Sequence, residues 1–176
     1  MYVIHAVSDP RQATFERLQK MAGTSSLETL MKDAKSVQQV VSDVCFAQRT
    51  LLTLVHDIMR FMRLVLPQFA FVRTEQMLTS PLECATQLFK FVDLDAPSSL
   101  VLWSQDIGES NVLHVNQHWR QELPLQVVKL FNEDKCVRVL DGFGFGAVRS
   151  EKQLRHSEKD NLLRKPSSAN PFVLQI

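Results

Sequence analysis

The chain has 176 residues, with 20 Lys and Arg against 19 Asp and Glu and a net charge of +1. That length suits one domain with a sizeable core, and a hydrophobic fraction of 45% with 22% charged residues is ordinary for a globular fold. The charge balance excludes a nucleic-acid binder that relies on a broadly basic surface, and no run approaches the ~18 consecutive apolar residues of a membrane span.

The run Tyr2–Val7 is rich in β-branched residues and apolar on both faces, which predicts a strand buried within a parallel sheet. A helix start follows at Ser8-Asp9-Pro10-Arg11: Asp9 is placed to cap, Pro10 fits the first helical position, and Ala13, Leu18 and Met21 continue the pattern. Strand, tight loop and helix make half of a βαβ unit, whose other half is expected before Met1. A break at Gly23–Ser26 precedes a long helical pattern from about Asp33 to Leu66. There Val37, Val40, Val41, Val44, Cys45, Leu51, Leu52 and Val55 recur at three- and four-residue steps, as one long helix or two consecutive ones, until Pro67 stops it.

Phe69–Val72 reads as a second short strand. Ser80-Pro81-Leu82-Glu83 then has the form of a capping box opening a helix with Leu82, Ala85, Leu88, Phe89 and Val92 on one side. A looser segment runs to about Gln117. Another helix is expected over about Pro124–Leu140, burying Leu125, Val128, Phe131 and Val137 and closing at Gly142-Phe-Gly-Phe-Gly146. The domain is expected to occupy 1–148. Beyond it, 149–176 is charged and poor in apolar residues, the composition of a mobile tail.

Cys45, Cys84 and Cys136 have no metal-like spacing, and one pair plus one free thiol is as consistent with them as three free thiols. No signal peptide opens the chain and no Asn-x-Ser/Thr sequon is present, so the sequence taken literally is cytosolic. His114 and His118 stand four apart without a third ligand, so a surface pair is favoured and no metal is expected. The glycines at 142, 144 and 146 follow a helix and not a strand, which favours a helix end and turn over a phosphate loop.

Three segments, in order, resemble the Golgi carbohydrate sulfotransferases that act on N-acetylglucosamine or galactose. They are VIHAVSDPRQATFERL; Phe71-Val-Arg-Thr-Glu-Gln-Met-Leu with Ser80-Pro81 and Leu88–Phe91; and His118-Trp-Arg120 with Leu123-Pro124, Cys136 and Gly144-Phe145. The resemblance covers about Val3 to Phe145. It implies an α/β fold, a short parallel sheet flanked by helices in a partial P-loop-like sulfotransferase domain. It implies PAPS (3′-phosphoadenosine 5′-phosphosulfate) as co-substrate, a glycan acceptor, and a Golgi location in membrane-anchored complete members. By resemblance Ser8, Arg11 and Arg17 are the candidate residues for the donor's 3′-phosphate.

Two departures bear on activity. No Lys/Arg-Ser-Gly-x-Ser-like segment, the family's cradle for the 5′-phosphosulfate, occurs anywhere in the chain, and such preorganised donors carry much of the catalysis. Ser8 stands where the family has an arginine and Glu16 where it has a serine, which removes a charge-assisted contact and adds a like charge. Thr74 and Gln76 replace a tyrosine and an aspartate. The remaining Arg73/Glu75 pair is read as structural, Trp119 as a core or rim anchor, and Arg11 equally as an anion contact or a solvated helix-start arginine. The expectation is an impaired or inactive sulfotransferase-family chain; the alternative is a non-catalytic homologue acting as an interaction module.

Overall fold

A computed structural model of the chain describes residues 2–23, 26–62, 69–109 and 118–155. Two strands, β1 (Val3–Val7) and β2 (Phe69–Arg73), pair in parallel with Val3 opposite Phe69 and Val7 opposite Arg73. Between them run α1 (Pro10–Ala22), α2 (Leu27–Met31) and α3 (Ala34–Met62). After β2 come α4 (Thr74–Thr79), α5 (Pro81–Phe91), α6 (Leu100–Glu109), α7 (His118–Glu122), α8 (Leu125–Lys129), a 3₁₀ turn at Leu130–Asn132, α9 (Asp134–Phe143) and α10 (Glu151–Arg155). This is the expected helix-rich α/β arrangement, a short parallel sheet flanked by helices.

The long helical pattern is realised as one helix of 29 residues, while Pro67 and the rest of 63–68 lie outside the described residues. Its apolar steps bury Val37, Val40, Val41, Cys45 and Val55 against α1 and α9. Asp9 caps α1 as expected, its carboxylate accepting the Arg11 N–H at 2.9 Å with Pro10 in the first turn. At the start of α5 the expected capping box does not form, because Ser80 makes no side-chain cap bond. The chain enters α5 directly from α4, and the Ser80 N–H is bonded to the Gln76 carbonyl, so the turn is held by the preceding helix instead.

Two further expectations are corrected. The helix over Pro124–Leu140 is split into α8, a 3₁₀ turn and α9, with Glu133 extended at φ −76°, ψ 155° between the last two. Asn132 stands at that break, and its side chain reaches the Val148 carbonyl at 2.8 Å. The looser stretch after Pro97 contains α6. Past residue 148 the described chain continues into α10, whose Leu154 is fully buried and whose Arg155 donates to the carbonyls of Arg120 and Leu123. The Gly142–Gly146 turn is the expected helix end: Gly144 takes the left-handed conformation (φ 74°, ψ 37°), and the Phe145 N–H returns to the Leu140 carbonyl at 2.7 Å.

The burial expected of Tyr2–Val7 is also corrected. Val7 is buried, but Val3 to Ala6 are exposed, with Ile4 at 44%. Among the described residues only β2 pairs with β1, so its other edge and much of its side-chain surface face outward.

Cys45 on α3 and Cys136 on α9 form a disulfide across 91 residues of sequence, while Cys84 is a free, buried thiol. That resolves the cysteine alternatives in favour of one pair and one free thiol.

Candidate functional site

Parallel strands deliver their following loops to the same end of a sheet, and in open α/β folds ligands bind beyond those carboxyl ends. Here the end of β1 leads through Ser8 and Asp9 into α1, and the end of β2 leads through Arg73 into α4. Two buried arginines start from these ends, and both reach the turn after α9.

Arg11 has no exposed surface. Its Nε donates to Asp9 Oδ1 at 2.7 Å, one Nη to Asp9 Oδ2 at 2.5 Å, and the other to the Gly146 carbonyl at 2.8 Å. The guanidinium stacks on the Trp119 ring, 4.6 Å from its centroid, with Arg120 on the same ring at 5.6 Å. Trp119 is thus the expected core anchor, 2% exposed. Arg73 is 4% exposed and donates to Gln76 Oε1 at 2.8 Å and to the carbonyls of Phe143 and Gly144 at 3.3 and 3.0 Å. Burial lowers its pKa, and the nearby Glu75 charge opposes that shift.

A hydrogen bond joins the two loops: the Asp9 N–H donates to Glu75 Oε1 at 2.7 Å. Burial, and secondarily the Asp9 carboxylate, push the Glu75 pKa up from 4.5 to about 7, partly offset by the Asp9 and Glu75 N–H groups and the Thr74 hydroxyl. The other Glu75 oxygen, Oε2, is buried without a hydrogen-bond partner. Nearby, Gln48 on α3 donates to the Ser8 carbonyl at 3.1 Å, leaving its own Oε1 buried and unbonded.

The three candidate donor-binding residues engage separate partners. Arg11 points inward into the network just described. Arg17 is half exposed and pairs with Asp43 of α3 at 3.3 Å. Ser8 is half-buried in the β1–α1 loop, where its carbonyl is held by Gln48. Glu16 accepts from the Gln12 side chain at 2.8 Å on the exposed side of α1. A groove of about 640 Å³ opens elsewhere, between Lys35, Gln38 and Ser42 on α3 and Leu130 and Glu133.

Sequence reasoning singled out Arg73 and Glu75 as a structural pair; in the structure Arg73 is turned to Gln76 and the Phe143 and Gly144 carbonyls, and Glu75 to the Asp9 N–H. It did not assign the bond from Asp9 to Glu75, which joins positions 66 residues apart, nor the reach of both arginines to the Phe143–Gly146 turn. The available signal was the clustering of charged residues at the two strand ends. Of the His114–His118 pair, His114 lies outside the described residues, and no group of three metal-ligating side chains occurs among the described ones.

No protein-family profile matches the chain, and no solved structure matches it. The chain is distantly related to carbohydrate sulfotransferase 4 of Mus musculus, 26% identical over 175 residues that cover 87% of this chain and 44% of that protein. The chain therefore spans less than half the length of the curated relative it matches.

Proposed function

We infer that this chain corresponds to the later part of a carbohydrate-sulfotransferase domain. Its relatives by resemblance transfer a sulfuryl group from PAPS to a hydroxyl of N-acetylglucosamine or galactose. On its own, this chain keeps the scaffold of such a site while being impaired or inactive as a catalyst. The observation that carries the reading is the state of Arg11. The residue best matched to a 3′-phosphate contact has its guanidinium closed on Asp9 and Gly146, with no surface for a ligand.

The groups around it do not fit a phosphate dianion. Asp9 holds the guanidinium and Glu75 the Asp9 N–H, acceptors where an anion needs donors. Ser8 and Arg17 are the two candidates left to meet an anion, one neutral and one already paired.

Calorimetric titration of the folded chain with 3′,5′-ADP tests this reading directly. The expected result is no binding at micromolar concentration. Micromolar binding that weakens in Ser8→Ala or Arg17→Ala would overturn it and restore a working nucleotide pocket.

A second reading, a non-catalytic interaction module, is favoured by the outward edge and apolar surface of β1. The Cys45–Cys136 disulfide, between two buried core positions, supports an oxidising compartment such as the Golgi lumen under either reading.

A further inference from the structure

We propose that the outward edge of β1 is covered by a segment of the same chain: Phe172–Ile176 adds to it as an antiparallel third strand. The proposal concerns the edge of the sheet and not the donor site, so it stands whether or not the chain binds a donor.

β1 exposes backbone and apolar side chains together. Among the described residues only β2 pairs with it, and Tyr2, Val3 and Ile4 are 47%, 38% and 44% exposed. Between Tyr2 and Val7 there is no Lys, Arg, Asp, Glu or Pro, the residues by which natural sheets blunt an open edge. The strand is a five-residue template with none of those devices.

Sequence pattern selects the occupant. Of the longer segments outside the described residues, 63–68 and 110–117 are short and tethered at both ends to described elements. Within 156–176, the run Phe172-Val-Leu-Gln-Ile176 is apolar at four of its five positions and rich in strand-forming residues, and Pro171 before it suits the first position of a strand. The run matches β1 in length and in alternation. Val3, His5 and Val7 lie on one face of β1, where His5 meets Phe71 edge-on; Tyr2, Ile4 and Ala6 lie on the other, where Tyr2 meets Phe91 edge-on. In an added strand Phe172, Leu174 and Ile176 share one face, with Val173 and Gln175 on the other. Setting the first three beside Tyr2 and Ile4 joins apolar to apolar, and places Gln175 on the face of His5.

Reach and concentration agree with this. Arg155, the last residue of α10, donates to the Arg120 carbonyl, and the adjacent Trp119 ring carries Arg11, just beyond the carboxyl end of β1. The segment after α10 therefore starts on the side of the molecule where β1 ends, and a strand running back along β1 is antiparallel to it. Residues 156–171, about 16 in all, span roughly 20–24 Å as a flexible chain and about 50 Å when extended. A tethered segment meets the edge at an effective concentration on the order of millimolar. A second copy would have the few exposed side chains of one short strand to bury there, well below the roughly 800 Å² per partner of a stable interface.

The test is NMR on the whole chain at two protein concentrations about tenfold apart. The expected result is nuclear Overhauser contacts between Phe172–Ile176 and Val3–Val7, with slow exchange of the β1 amides that do not point at β2, alike at both concentrations. Phe172→Asp combined with Leu174→Asp lies outside the described core. It should abolish the contacts and speed exchange at those amides about fivefold or more, while the buried Val139 and Leu140 of α9 stay protected. A wild-type chain without the contacts overturns the proposal from that sample alone, whatever the variant does. Edge protection that survives the double substitution overturns it as well. If such protection rises with concentration the edge belongs to a second copy, and if it does not, another segment covers β1.

Discussion

β1 and β2 pair residue for residue in one parallel ladder, yet they occupy opposite environments. In β2, Ala70, Phe71 and Val72 are each no more than 1% exposed, and Phe71 packs edge-on against Phe69 and Phe143. In β1, Val3 is 38% and Ile4 44% exposed although both are apolar and β-branched. Backbone pairing is shared by the two strands, so it does not decide burial. What decides it is whether other elements cover the side chains, as the Phe143 end of α9 covers Phe71. Only the carboxyl ends of the two strands are alike, and there Val7, Asp9, Arg11 and Arg73 are all buried.

The buried side of this comparison is the more breakable. Cys45→Ala with Cys136→Ala removes a crosslink closing 91 residues, and a loop of that size corresponds to a loss of about 4–5 kcal/mol in the chain-entropy account. Chemical denaturation of the wild type with and without reductant should show a midpoint shift matching that of the double variant. An unchanged midpoint would mean that the α3–α9 packing holds without the bond.

Next comes Arg11→Met, which leaves the Asp9 carboxylate buried and unpaired at an expected cost of about 3–5 kcal/mol. Adding Asp9→Asn removes that charge and should recover part of the loss. If Arg11→Met proves neutral, Arg11 is not the clamp described above, and its side chain becomes available as an anion contact.

The exposed strand supplies the smallest effect. Ile4→Lys should change stability by less than about 0.5 kcal/mol, since the side chain faces outward. The same change should reduce any concentration-dependent self-association, because charge on an open edge discourages strand addition. Sedimentation at several concentrations measures this, and a large loss of stability would contradict the outward placement of β1.

The sequence disclosed those features whose cause is local. The three- and four-residue recurrence of valines fixed α3, and alternation-free apolar runs bounded by breakers marked both strands. Gly144 was legible as a helix end because the left-handed conformation suits glycine. Features whose cause is distant were not legible. Arg11 looked as much like a surface residue as an anion contact, because its partner carbonyl lies 135 residues away. The break between α8 and α9 was hidden by apolar periodicity that continues through it, while Asn132 is drawn out by Val148 from beyond the next helix. Leu154, a lone apolar residue in a charged stretch, gave no periodic signal, yet it anchors α10.

The disulfide also has a temporal side. Cys45 leaves the ribosome 91 residues before Cys136, which at ordinary translation rates of about 5–20 residues per second is on the order of 5–18 seconds. Throughout that interval its thiol lacks the native partner, and Cys84 emerges partway through it as a competing one. Burial of Cys84 in α5, where its thiol pKa is pushed up to about 11, withdraws the competitor once the segment around it has folded. Closure of α5 on Cys84 before Cys136 emerges would favour Cys136 as the sulfur that Cys45 meets.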